Sequence, residues 1–488
     1  MLLNDPIDEA VAALPERTAF ITREGVTTYA SFGGSARAAA GLLAARGVAR
    51  ADRVALVAPA SAGAVAAVLG CARLGAAAVP LSSLSTESEV TSIVASTGCG
   101  PIAVADPAAA ATVTAAFGGT PPLDPGTFTT PAFPRQFPRH ADPDLSEDEV
   151  ALVLLTSGTT GTPKPVPLSH RVLAARVRSF APAPATSAVI SIVCVPFHHV
   201  AGLIGILVGL AGGNTSVLQP RFDAGEWLEL VERHRVQRAF LVPAMLHRIL
   251  DHERFSEADL SSLQMITYGA AAATPALVSR AVQALPRVAF VNVFGQTETL
   301  GAVTALGPED HRAGRAGSVG RPMPGVEVRV IDPDTGADVA DGVVGEFLVR
   351  APHTASAGWL RSGDLVRRDA EGFLYPAGRL NDVINRGGEK VDPAEVEAVL
   401  REHPDVGDAA VFGIPDEVLG GRVAAVVILR KLVDTATLRV WCANRLTRFK
   451  VPEVIVVIDA IPLTELGKVS RKDLRAIIAH SGQGSQDA

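Results

Sequence analysis

The chain has 488 residues, length enough for several domains, and its 48% hydrophobic content with 5% aromatics suits large aliphatic cores. Its 51 acidic and 44 basic residues leave a net charge of −7 without long runs of either sign, so neither nucleic acid nor an acidic membrane surface is expected as a partner. Four scattered cysteines (Cys71, Cys99, Cys194 and Cys442) form no CxxC pair, imply no disulfide or zinc site, and fit a reducing cytoplasm.

Asp5, Asp8 and Glu9 precede any apolar stretch, which argues against a secretory signal. Strand-like and helical stretches then alternate through the first two-thirds. Arg53 opens a strand (RVALVAP), Ala64–Leu74 a helix, and Ala77–Leu81 another strand. Val150–Leu155 is a short continuous apolar run, which predicts a buried strand of a parallel sheet. The chain then breaks into Thr156, Ser157, Gly158, Thr159, Thr160 and Gly161, with Lys164 just beyond. Glycines let backbone N–H groups approach an anion, hydroxyls add donors without bulk, and the lysine adds charge. This pattern predicts a phosphate-holding loop more than a surface linker. It is not a Walker loop, because Pro163 and Pro165 flank Lys164 and no helix opens cleanly there.

Further strands are expected at Val189–Val195, Ala239–Pro243, Met265–Tyr268 and Ala289–Phe294, with helices such as Gly225–Arg235 and Pro275–Leu285 between them. The apolar run Val200–Gly213 is Gly-rich and too short to span a bilayer, so it predicts a buried helix. His198 and His199 just before it sit in what reads as an extended segment. Neighbours there point to opposite faces, so one metal could not easily use both. Val326–Asp332 and Val344–Arg350, around the turn at Asp334–Gly336, read as antiparallel strands. After Gly378 the texture changes again, to a helix at Glu395–Glu402, strands at Ala409–Val411 and Val423–Leu429, and a terminal helix at Arg471–Ala479. The expected class is α/β. A large N-terminal domain, residues 1–380, would combine helix-covered parallel sheets with a small β-barrel-like part, followed by a small α+β domain, residues 381–488, to which the resemblance described next adds mobility.

Six further clusters follow the loop in order: PFHHVAG (Pro196–Gly202), YGAAA (Tyr268–Ala272), NVFGQTET (Asn292–Thr299), GWLRSGDL (Gly358–Leu365), GRLNDVINRGGEKVDPAEVE (Gly378–Glu397) and LTELGKVSRKDLR (Leu463–Arg475). Together they resemble the adenylate-forming superfamily of acyl-CoA synthetases, peptide-synthetase adenylation domains and luciferases, over nearly the whole chain. The resemblance implies a two-step reaction, in which a carboxylate attacks the α-phosphate of ATP and a thiol then displaces AMP. It assigns Thr156–Gly161 and Lys164 to the β- and γ-phosphates, Glu298 after Thr297 to magnesium, and Asp364 to the ribose hydroxyls. Arg379 would help hold ribose and phosphate. Tyr268, Gly269 and Ala270 would flank the adenine, with Asn292, Phe294 and Gly295 beside them. Lys468 would reach the α-phosphate during adenylation.

His198 would gate the acyl pocket, shared with His199, Phe240, Ala271 and Ala272. Asn381 stands at the family hinge, more often Asp or Lys, and Gly387, Gly388 and Glu389 follow on the coenzyme A side. Pro165 stands where many relatives have Gly. Amino-acid-activating relatives place Asp directly after the residue matching Phe197, whereas His198 follows here, so an aryl, alicyclic or medium-chain acid is expected. ATP, Mg2+ and coenzyme A are the implied cofactors. The alternative acceptor is a carrier protein, which would be a separate chain, and a further alternative is a member performing only one half-reaction.

Overall fold

The computed structural model describes residues 1–129, 144–156, 164–355, 358–386, 389–416, 418–464, 469–470 and 473–478. The chain divides into two compact units. The first comprises Met1–Glu327 with Arg350–Leu360, and the second Val328–Val349 with Arg361–Ala488.

The first unit is built on two sheets. One has five strands in the order Ala103–Ala105, Arg53–Val57, Ala77–Leu81, Val150–Thr156, Lys164–Ser169. Its first four strands run parallel and the last pairs antiparallel with Val150–Thr156. The other has nine strands. Its middle six (Ala289–Gln296, Met265–Gly269, Arg238–Leu241, Ile190–Val193, Thr215–Leu218 and Thr18–Thr22) are parallel, and antiparallel strands close both edges. Central strands such as Ala77–Leu81 are buried throughout, which is why they read as unbroken apolar runs rather than alternating ones.

The helix Ala62–Arg73 is buried along almost its whole length. It packs on Tyr29–Ala45 so closely that a Cβ on Gly70 would lie 2.9 Å from Ala39 and Ala40. Small residues on both helices make that approach feasible, which accounts for the alanine-rich composition of this region. The apolar run after the histidines is the helix Val200–Ala211, in the same core.

The second unit carries most of a four-stranded sheet in the order Glu327–Ile331, Val344–Arg350, Leu360–Arg368, Leu374–Arg379. Its last two strands go beyond the sequence expectations. Beyond them, Val406–Asp416 and Gly420–Leu429 form a long hairpin, and Val454–Val457 pairs parallel with the second strand. The helices Pro393–Arg401 and Thr435–Ala443 cover this sheet through Val396, Leu400, Leu438 and Cys442. A separation at 380/381 falls inside this second unit and is treated as a proposal below.

Candidate active site

Val150–Thr156 is buried over Ala151–Leu154 and turns back as Lys164–Ser169, so the expected phosphate loop connects the two strands of a hairpin. Ser157, Gly158, Thr159, Thr160 and Gly161 lie outside the described residues. Thr156 and Lys164 are register partners, and the Thr156 hydroxyl donates to the Lys164 carbonyl at 3.4 Å. Lys164 is exposed. Pro165 and Pro167 alternate along the edge strand, so both rings can sit where a missing N–H faces outward and breaks no ladder bond.

Tyr268 and Gly269 end one central strand, Ala270 follows it, and Asn292 and Val293 lie beside Tyr268 and Gly269 in parallel register. Gly269 has no room for a side chain, since its Cβ would sit 2.3 Å from the Val293 carbonyl oxygen. Ala270 holds a positive φ of 66°, the left-handed region that costs a non-glycine residue about 1–2 kcal/mol. Strain of this kind collects at functional sites. The Tyr268 side chain is buried, however, and its hydroxyl bonds His311 Nε2 at 2.8 Å, so its aromatic ring belongs to the core. His311 Nδ1 lies 2.6 Å from the Gly307 carbonyl, which can only accept. Nδ1 therefore carries the proton, and Tyr268 donates to Nε2. Burial keeps this imidazole neutral by lowering its pKa, with the bond to Gly307 acting in the opposite sense, and burial raises that of the tyrosine. Asn292 donates through Nδ2 to the Ser318 carbonyl at 3.1 Å, and Phe294 is half-buried.

Thr297 and Glu298 lie on the short 3-10 turn Thr297–Thr299 that follows. Thr299 shapes it: its hydroxyl accepts from the Gln296 N–H at 2.9 Å and donates to the Gly301 carbonyl at 2.7 Å. Gly295 is pinched against the returning strand, its would-be Cβ 1.9 Å from the Gly301 oxygen. Leu300, buried at a positive φ of 50°, completes the reversal. The strand Val150–Thr156 packs against this turn, so the phosphate-loop strand and the Glu298 turn are neighbours within the first unit. Glu298 is half-buried, and among the described residues no hydrogen bond or ion pair engages its carboxylate. No group of three or more His, Cys, Asp or Glu placed to hold a metal ion occurs among the described residues. A single free carboxylate fits Mg2+, which commonly takes one or two carboxylates and completes its shell with substrate phosphates and water.

The histidine pair departs from the sequence expectation. Pro196–His199 is a turn rather than an extended segment, and the rings of His198 and His199 lie together, with centroids 4.2 Å apart at 44°. Gly202 makes this turn possible, because a Cβ there would meet the Pro196 carbonyl oxygen at 2.3 Å. Phe240 is half-buried and in register with Thr267, which is in register with Val291, so these three share one face of the sheet. Ala271 is half-buried and Ala272 exposed.

Within the second unit, Asp364 and Arg379 are antiparallel register partners, and Arg379 Nε donates to Asp364 Oδ1 at 2.6 Å. Gly363, at φ 71°, turns the chain just before the aspartate. Asn381 falls in the 3-10 turn Leu380–Asp382, and Glu389 is exposed on a two-stranded ladder opposite Arg386. Gly387, Gly388 and Lys468 lie outside the described residues.

Residues 7–359 match the family model described as AMP-binding enzyme, and residues 395–468 match AMP-binding enzyme C-terminal domain. The chain belongs to the AMP-binding enzyme family. It is an ATP-dependent, AMP-forming ligase of the acyl-CoA ligase group. It is 33% identical to an indoleacetate–CoA ligase of Aromatoleum aromaticum, covering 98% of both chains. It is also 33% identical to a feruloyl-CoA synthase of Amycolatopsis, covering 94% of this chain and 96% of that one. ATP-bound MatB from Rhodopseudomonas palustris shares its structure with a TM-score of 0.84 at 27% identity, over 98% of this chain and 99% of that one.

Three residues of this AMP-binding enzyme near the Glu298 and Tyr268 elements escaped the sequence reading: Arg176, His311 and His353. Arg176 is buried on the helix His170–Phe180 and bonds the Ala302 carbonyl at 2.9 Å and His353 Nε2 at 3.2 Å. In sequence it is one of three arginines on that helix, and nothing in the spacing separates it from the exposed Arg171. His353 and His311 are isolated histidines, distinguished only by burial and partners.

Proposed function

We propose that this AMP-binding enzyme joins a carboxylic acid to coenzyme A in two steps. The carboxylate attacks the α-phosphorus of ATP, giving acyl-AMP and pyrophosphate. The coenzyme A thiol then attacks the acyl carbon, giving the thioester and AMP. The observation that carries this reading is the packing of the phosphate-loop strand against a turn whose carboxylate, Glu298, has no partner among the described residues. Mg2+ bound at Glu298 would neutralise phosphate charge and polarise the phosphoryl oxygens. Thr156, Lys164 and the loop between them hold the leaving pyrophosphate. Asp364, held by Arg379, accepts the ribose hydroxyls. Lys468 supplies positive charge to the α-phosphate, where preorganised cations do most of the work. The small C-terminal part moves at 380/381 between the two steps, with Asn381 as pivot.

The acyl body is uncharged. Phe240, Thr267 and Val291 present one hydroxyl and no charge on their shared face, and the run from Ala270 to Ala273 adds none. His198 stands where an ammonium-binding Asp would be needed for an amino acid. An aryl-bearing acid is favoured, in keeping with the indole and feruloyl groups in the relatives' names, with alicyclic and medium-chain acids behind it. No helix among the described residues is long and apolar enough to cross a membrane. The four free thiols suit a cytoplasmic setting.

Incubation with ATP, Mg2+ and a panel of acids, followed by mass spectrometry of nucleotide and thioester products, tests this. A neutral aryl, alicyclic or medium-chain acid should give acyl-AMP without coenzyme A and acyl-CoA with it. Activation of an amino acid, or acyl-AMP that persists in excess coenzyme A, would contradict the reading, and the latter would favour a carrier-protein acceptor.

A further inference from the structure

We propose that Arg176 is a positioning residue that sets the Glu298 turn for magnesium, an inference that rests on the reading of Glu298 as the metal-binding carboxylate. Arg176 is 4% exposed, and among the described residues it has no carboxylate partner. Instead its guanidinium joins two segments of the first unit. One arm donates to the carbonyl of Ala302, on the strand that leaves the Glu298 turn. The other donates to Nε2 of His353, itself buried. The segment carrying His353 continues to Ala355, whose N–H donates to the carbonyl of Glu298 at 2.8 Å. The turn is thus held from both sides, by the Thr299–Gly301 bond and the strand after it, and by the Ala355 bond from the returning segment. Arg176 is the group that links those two supports.

An apolar side chain could fill the same space beside Phe180, over whose ring the guanidinium lies at 4.4 Å. It could not bridge a carbonyl and an imidazole, and the buried imidazole would be left without that partner. The roles of the imidazole follow. Arginine only donates, so Nε2 accepts and the His353 proton sits on Nδ1. Burial, reinforced by Arg176, holds the His353 pKa down at about 4, and burial lowers that of Arg176 to about 10, so the pair is a cation and a neutral ring at physiological pH. Groups behind a metal ligand orient it, and their loss commonly weakens metal affinity by roughly 10–100-fold.

The test uses the full chain with Mn2+ as the probe, titrated by electron paramagnetic resonance in the presence of ATP, together with hydrogen–deuterium exchange at the Ala355 amide. Arg176→Met should weaken Mn2+ binding by about tenfold or more, speed exchange at Ala355, and leave the KM for the carboxylic acid nearly unchanged. Arg176→Lys, which keeps the charge without the fork, should fall between. If Arg176→Met fails to fold, His353→Phe removes the same bridge and should shift both readouts in the same direction. A folded Arg176→Met protein that binds Mn2+ like the wild type, with only its thermal midpoint lowered, would overturn the inference. Glu298→Gln is the reference. If it too binds Mn2+ like the wild type, the magnesium reading itself fails; if it binds weakly while Arg176→Met and His353→Phe do not, only the role of Arg176 fails.

Discussion

Asp364 lies in a stretch, RSGDL, that the family resemblance assigns to the ribose hydroxyls, yet nothing in the sequence showed which cation would hold it. The partner, Arg379, is on the next strand, and only the hairpin register brings the two together. Asp364→Ala should weaken ATP binding by roughly ten- to hundredfold, the worth of a hydrogen-bonded charge at about 1.5–3 kcal/mol. Calorimetric titration checks this, and unchanged affinity would remove Asp364 from the site. His353 makes a pH prediction. The unfolded chain takes up this proton near 6.5 and the folded chain only near 4, because burial and Arg176 oppose the charged ring. Between those values protons favour the unfolded chain, so stability present above pH 6.5 is lost as pH falls toward 4. His170 and His311, also lowered chiefly by burial, add slopes of the same sign. Thermal midpoints measured across this range should fall less steeply for His353→Gln than for the wild type, and identical slopes would show that the ring titrates normally.

At the scale of elements, continuous apolar runs located central strands such as Arg53–Val57, Ala77–Leu81, Val150–Thr156 and Met265–Gly269 to within a residue or two, because strands covered on both faces read as unbroken apolar stretches. What they could not show was direction at the sheet edges. Val150–Thr156 belongs to a parallel run, but the antiparallel return at Lys164 depends on a hairpin whose prolines disguise it as a loop. The histidine turn was hidden for a related reason, since its geometry comes from Gly202 closing on Pro196, beyond the pair itself. Glycines test this view by contrast. Gly295→Ala drives a methyl into the Gly301 carbonyl and should destabilise by about 1–3 kcal/mol or more while disordering the Glu298 turn. Gly205→Ala, exposed mid-helix with nothing within 4 Å, should stabilise by roughly 0.5–1 kcal/mol. Chemical denaturation of both variants checks the opposite signs.

Across the whole molecule, the order of motifs made the reaction legible long before any geometry did. The motif order carried information that composition lacked, because six moderately specific clusters in one order pointed to the family that the chain belongs to. The acyl substrate was far less legible, since the residues proposed to line its pocket, alanines, a threonine and an aromatic, serve equally as core. The proposed role of Lys468 ties motif order to mechanism. Lys468→Ala should slow pyrophosphate release by roughly a hundred- to a thousandfold, yet leave coenzyme A attack on a synthetic acyl-adenylate within a few-fold of wild type. Parallel loss in both assays would mean that this lysine does not leave between steps. The central claim, that the acid is activated as an adenylate, is tested most directly by following oxygen. A responding acid labelled with 18O in its carboxyl group is incubated with ATP, Mg2+ and coenzyme A, and the nucleotide and phosphate products are analysed by mass spectrometry. The account predicts one labelled oxygen in AMP, left behind when the thiol takes the acyl carbon, and unlabelled pyrophosphate. ADP with the label in inorganic phosphate would contradict it.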